Sequence, residues 1–309
     1  MHIYESTYQG ASQKETYLVD EYGAKPDVVY SRRAGSLDQA LDAMHQASFA
    51  FAVVANLFFT ESTADDYILE KSPGALTGGI ARHNRYDALV RLREYNKWLC
   101  DASRKHPSLI PLVSVDPWVM SSSEMVVHLH EMVRDFGARG VKLHPNAQRV
   151  SADDQRLWPV YELCSQLQIP VLAHSGASPH NSYSEPRTFA RALREFPHLR
   201  LVLAHLGGAT WSQTKEIATT FPNVMFDCSE IIAWTGAPNA PNDGELAKLI
   251  IEVGADRVLL GTDFPWYDLD RTAAQVQALP LLSLEQKDLI LGVNAARLFS
   301  LPIDSGLHS

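Results

Sequence analysis

Cysteine is scarce: Cys100, Cys164 and Cys228 are the only three in 309 residues. An odd, widely spaced set without a CxxC pair argues against a disulfide framework and for a reducing, cytoplasmic setting. No apolar run approaches the ~20 residues that a bilayer crossing needs. Met1–Gly10 has neither the basic start nor the apolar stretch of a secretion signal. Basic charge is in deficit, with 27 Lys and Arg against 36 Asp and Glu and a net charge of −9. Nucleic-acid binders usually show a basic excess or stripe, so a small-molecule substrate is the expected partner. Gly and Pro, 17 each, are too few for a collagen-like chain, and a 46% hydrophobic content is too high for disorder. No shift in composition marks a boundary, so residues 1–309 read as one domain.

Strand-like and helix-like segments alternate along the chain. Phe51–Leu57, Leu109–Val115, Gly140–His144, Pro170–His174, Arg200–His205, Asn223–Asp227 and Arg257–Asp263 are short and almost continuously apolar. Strands buried on both faces have this character. Helical spacing follows in between. It runs from a Ser36 cap to Gln46, then over Arg85–Ser103, Ser123–Phe136, Ala152–Leu167, Glu185–Phe196, Trp211–Phe221, Asp243–Val253 and Thr272–Leu279, ending with a helix pair over Ser283–Phe299. Such alternation implies parallel pairing through right-handed crossovers. Seven units are clear, and an eighth strand falls to the region around His2–Glu5. The expected fold is therefore an α/β (β/α)8 TIM barrel, with its first strand either complete or truncated. Glu61–His83 reads as a long loop or lid, and Asp304–Ser309 as a frayed tail.

Twelve histidines are present, and several end strands. His144, His174 and His205 close three of the apolar runs; Asp227 and Asp263 close two more. In a parallel barrel these ends share one face, where active sites lie. Imidazole with carboxylate suits a borderline divalent cation such as zinc, manganese or iron. Lys142 is two residues before His144, so both side chains leave the strand on one side. Lys142 is a candidate for a substrate carboxylate, a site carboxylate or carbamylation. Asp227 is either an orienting group or a plain polar strand end, and Asp116 and Glu230 share that ambiguity. Trp234, Trp266 and Tyr267 are candidates for a pocket wall or for packing. His128 and His130 stand two apart on a helix, about 200° around it, and cannot ligate one ion; a solvated helix face is expected for them. His45, His106, His198 and His308 read as surface residues, while His83 and His180 lie in loops.

The motifs GVKLHP (140–145), PVLAHSG (170–176), LVLAHLGG (201–208), NVMFDCS (223–229), DRVLLGTDFPW (256–266) and NAARLF (294–299) together resemble the amidohydrolase-related family. That branch of the amidohydrolase superfamily includes aminocarboxymuconate-semialdehyde and resorcylate decarboxylases and various lactonases. The resemblance covers about residues 35–302. It implies a metal-dependent barrel in which His174 is a metal ligand, Asp263 a ligand or base, and His205 the acid/base group. The family's strand-one pattern is D-x-H-x-H. His2 matches its second histidine, and the first would fall upstream of Met1. The resemblance thus implies His2, His174 and Asp263 as ligands, a number that zinc accepts with a water in the fourth place; manganese is the alternative. It also implies a homodimer or larger assembly.

Two activities follow from such a site. The first is hydrolysis of a small carboxylated lactone or amide, with metal-activated water, Asp263 as base and His205 as acid. Lys142, His144, Arg149 and Trp266 are the candidate substrate contacts. The alternative is non-oxidative decarboxylation by the same parts. A third possibility is a barrel that has lost its metal.

Overall fold

The computed structural model describes residues 1–22, 30–57, 78–178 and 181–302. Its seven strands occupy the seven predicted runs: β1 (Ala52–Ala55), β2 (Leu109–Ser114), β3 (Gly140–Leu143), β4 (Val171–Ala173), β5 (Leu201–Leu203), β6 (Met225–Asp227) and β7 (Val258–Leu259). All pair in parallel with their sequence neighbours, in the order β1 to β7. β2 and β3 are buried at every position, which explains why their sequences do not alternate.

The start of the chain takes the eighth position. The Met1 ammonium donates to the Val53 carbonyl at 3.0 Å, and the Ala55 N–H donates to the Met1 carbonyl at 2.8 Å. On the other side, the His2 N–H donates to the Phe264 carbonyl at 2.6 Å. Residues 1–3 therefore bridge β1 and the segment beyond β7, closing a TIM-type α/β barrel. Tyr4 pairs next with Ser36.

The helices are α1 (Thr7–Tyr22), α2 (Leu37–Gln46), α3 (Gly78–Lys105), α4 (Ser122–Phe136), α5 (Pro145–Gln148), α6 (Trp158–Leu167), α7 (Ala190–Glu195), α8 (Thr214–Thr220), α9 (Asp243–Val253), α10 (Leu269–Ala278), α11 (Leu284–Asp288) and α12 (Asn294–Phe299). Local chemistry fixes several ends. Ser36 accepts from the Gln39 N–H, as its place before α2 suggested. Ser121 and Glu124 form a reciprocal capping box on α4, and Gly137 closes that helix in the left-handed region at φ 79°. α3 begins at Gly78, earlier than the expected Arg85. The rest of the expected Glu61–His83 loop, and the His83 side chain, lie outside the described residues, as do His180 and His308.

α1 was not expected. Its sequence, TYQGASQKETYLVDEY, has no strong apolar stripe, yet it is seated closely: a Cβ on Gly10 would stand 2.0 Å from the Ala34 carbonyl oxygen. Strand residues such as Val141, Val171 and Leu201 face the helices and form a core with Met125, Leu129, Val160 and Leu246. The three cysteines are free, buried thiols. Among the described residues no helix is long and apolar enough to cross a membrane.

Candidate active site at the strand ends

Parallel strands bring their carboxyl ends to one face, and the predicted polar residues meet there. His2, Lys142, His144, His174, His205 and Asp227 are all buried, and Asp263 is nearly so. His205 and Asp263 leave their strands through left-handed backbone, at φ 63° and 49°. Residues without the freedom of glycine adopt such angles at a cost of about 1–2 kcal/mol and cluster at functional sites.

Three sub-arrangements make up the site. In the first, the His2 Nδ1 faces the Ala55 carbonyl at 2.8 Å and its Nε2 faces the Asp263 Oδ1 at 3.2 Å. A carbonyl only accepts, so Nδ1 carries the hydrogen and a neutral ring turns its Nε2 lone pair to the carboxylate. Burial pushes the His2 imidazole down to about 4 despite the pull of Asp263, so the ring is neutral near pH 7. Burial pushes Asp263 up, yet charge interactions with its neighbours, Lys142 among them, hold the carboxyl below its ordinary range. Two lone pairs thus converge on one point.

In the second, His144 stacks on His174 with ring centroids 4.0 Å apart and planes 12° from parallel. The His144 Nδ1 accepts from the Ala147 N–H at 3.2 Å and caps α5. Burial, then the proximity of His174 and Lys142, holds His144 well below the usual imidazole range. In the third, the His205 Nε2 lies 3.1 Å from the His174 Nδ1, while its Nδ1 faces the Ser229 hydroxyl at 2.8 Å and the Ser229 carbonyl at 3.1 Å. The Asp227 Oδ1 accepts from the His205 N–H at 3.0 Å, from the Ser229 N–H at 2.9 Å and from the Ser229 hydroxyl at 2.5 Å. Asp227 thus holds the His205 backbone and Ser229 together, and Ser229, which the sequence reading did not single out, touches the His205 ring.

α1 covers this face. Tyr17, buried, packs against Trp266 with centroids 4.6 Å apart and against His144 at 5.8 Å. Trp266 meets His2 edge-on at 5.5 Å and donates from Nε1 to the Lys14 carbonyl. It packs in a cluster with Tyr17, Leu57 and Tyr267. Arg149 caps α5 with an exposed side chain and is not drawn into the buried cluster. Asp116 accepts from the Trp118 N–H, an ordinary turn contact.

One expectation is corrected. His130 is exposed, but His128 is buried, not solvated: its Nε2 pairs with the Asn96 amide at 2.9 Å, within a network that includes Asn56 and the Ser114 carbonyl. His128 shares the inner face of α4 with Met125, Leu129 and Met132.

The resemblance implies a metal, and the structure bears on the fit. His2 and Asp263 are arranged as two ligands would be, with an outer carbonyl fixing the imidazole in the manner common to metal-bound histidines. Among the described residues no group of three His, Cys, Asp or Glu side chains is already drawn in around a single ion.

Comparison with known proteins shows the family and the fold. The amidohydrolase family model matches residues 20–301. A curated relative, 2-amino-3-carboxymuconate-6-semialdehyde decarboxylase of Dictyostelium discoideum, is 22% identical over 245 residues, covering 70% of this chain and 68% of its own. An uncharacterized TIM-barrel protein from Bordetella bronchiseptica superposes with a TM-score of 0.72 at 20% identity, over 97% of each chain. A dihydroxybenzoic acid decarboxylase from Polaromonas, solved with manganese and 2-nitroresorcinol, superposes with a TM-score of 0.65 at 17% identity, over 100% of this chain and 97% of its own.

Proposed function

The chain belongs to the amidohydrolase family, and from that premise we propose that it is a non-oxidative decarboxylase of a small, conjugated carboxylate. The observation that carries this reading is the buried His205–His174 contact beside Lys142 and the His2–Asp263 pair. The two decarboxylases among the relatives support it over hydrolysis of a lactone or amide, the other reading of the same residues.

A divalent cation, zinc or manganese, held by His2 and Asp263 with His174 as the third ligand that the resemblance implies, would supply positive charge at the substrate's carboxylate. The chain's own groups do the rest. Lys142, buried beside the histidines, is placed to meet a substrate carboxylate. Tyr17 and Trp266 cover the site and keep bulk water from it, which strengthens these charge interactions. His205 takes up and returns a proton at Nε2. That proton passes to the carbon that carried the carboxyl group, the C–C bond breaks, its electron pair stays with that carbon, and CO2 leaves. Lys142, His144 and Trp266 are the proposed substrate contacts, and Arg149 a contact at the rim.

The test is incubation of the protein, with zinc or manganese added, with hydroxybenzoates, carboxylated muconate semialdehydes and lactones in deuterated water. The expected result is CO2 with one deuterium at the carbon that lost the carboxyl group. Lactone opening with no CO2 from any carboxylate would overturn the reading in favour of hydrolysis.

A further inference from the structure

We infer that Ser229 and Asp227 form a positioning device that locks the tautomer of His205, with hydrogen on Nδ1 and the lone pair on Nε2. The Ser229 hydroxyl has one hydrogen, and the 2.5 Å contact to the Asp227 Oδ1 uses it, because a carboxylate only accepts. The hydroxyl oxygen is then an acceptor towards the His205 Nδ1 at 2.8 Å. The Ser229 carbonyl, at 3.1 Å from the same nitrogen, is a second acceptor. Nδ1 therefore carries the hydrogen. In the neutral ring Nε2 holds a lone pair, and the His174 Nδ1, 3.1 Å away, donates to it.

The backbone serves the same end. The Asp227 Oδ1 also accepts from the main-chain N–H of His205, at the residue whose left-handed φ of 63° aims the ring. One carboxylate thus holds both the backbone and, through Ser229, the ring. Gly261 on the neighbouring segment makes the room: a Cβ there would stand 2.7 Å from the Asp227 Oδ1 and 2.7 Å from the Ser229 Cβ. A plain turn at the end of β6 needs the Ser229 N–H contact to Asp227, but neither the hydroxyl bridge to His205 nor the cleared space at Gly261.

The first test does not use activity. Histidine-selective 15N NMR at about pH 8, above the ordinary imidazole pKa of ~6.5, reads which ring nitrogens carry hydrogen, and His205→Gln identifies the His205 signals. Hydrogen on Nδ1 and a bare Nε2 is expected; the opposite tautomer overturns the inference. The second test rests on the decarboxylase reading above. Ser229→Ala is expected to lower kcat by about tenfold or more with KM little changed, and Ser229→Thr, which keeps the hydroxyl, to restore most of it. Equal kcat in Ser229→Ala and wild type overturns the positioning role. If no decarboxylation is seen in any variant, the function reading fails while the NMR result still decides the tautomer.

Discussion

The Nε2 of His2 and the Oδ1 of Asp263 face each other at 3.2 Å, and the other nitrogen of His2 is already committed to the Ala55 carbonyl. With the imidazole pushed down to about 4 by burial, the two groups present lone pairs to a common point near neutral pH, and a cation between them removes the repulsion. His2→Ala and Asp263→Ala are each expected to weaken zinc or manganese binding by more than the ~10–100-fold that loss of an outer-shell partner costs. Metal content after dialysis, measured by elemental mass spectrometry, checks this. Unchanged content in both variants would sink the assignment.

His205 is expected to matter for turnover more than for binding, because both of its ring nitrogens face protein groups and its proposed role lies in proton exchange. His205→Gln keeps a polar side chain of similar reach but cannot hold a proton at Nε2. Its kcat for CO2 release should fall by about 10²–10⁴-fold, the usual worth of an acid/base group. A steady-state comparison of kcat and KM decides. A rise in KM alone, with kcat kept, would place His205 in binding instead.

The barrel was legible because its strands are buried on both faces, so that runs such as GVKL and LIPLVS have no polar alternation to confuse them. The site was legible as far as its residues close the apolar runs of the sequence, since parallel topology carries the ends of those runs, His144, His174, His205 and Asp263, to one face. Ser229 stands two residues beyond β6, and no spacing distinguishes its hydroxyl from any other serine in a loop; only its contact with His205, 24 positions away, does. α1 was missed because tertiary contacts hold it rather than an apolar stripe of its own. For His128 the signal was present. A helix cannot turn both members of an HLH triplet to water when Met125, Leu129 and Met132 mark its inner face, and His128 falls on that face.

Tyr17 and Tyr8 lie on the same helix in opposite environments: Tyr17 is 3% exposed and Tyr8 86%. Tyr17→Ala removes a ring packed on Trp266 and His144, and should cost about 3 kcal/mol in unfolding free energy, as large-to-small changes at buried aromatics do. Tyr8→Ala should stay within ~0.5 kcal/mol of wild type. Urea denaturation of both variants tests whether α1 is held down through Tyr17. Equal losses would show that it is not.

Stability should fall on the acid side through histidines kept neutral by burial. His128 is the cleanest case, because it lies outside the site, in the Asn96 network, and burial together with the nearby Arg93 pushes it down to about 4. In the unfolded chain its pKa returns to ~6.5. The unfolded state therefore binds the proton first, and stability drops as pH falls from about 6.5 towards 4. At pH 5 the loss from this one group is about 2 kcal/mol relative to pH 7. Urea midpoints for wild type and His128→Gln, taken at both pH values, isolate the effect. The variant gives up some stability at pH 7 through the disturbed Asn96 contact, but its further loss at pH 5 should be smaller than that of wild type. Parallel losses would mean that His128 is protonated in the folded protein or titrates without hindrance.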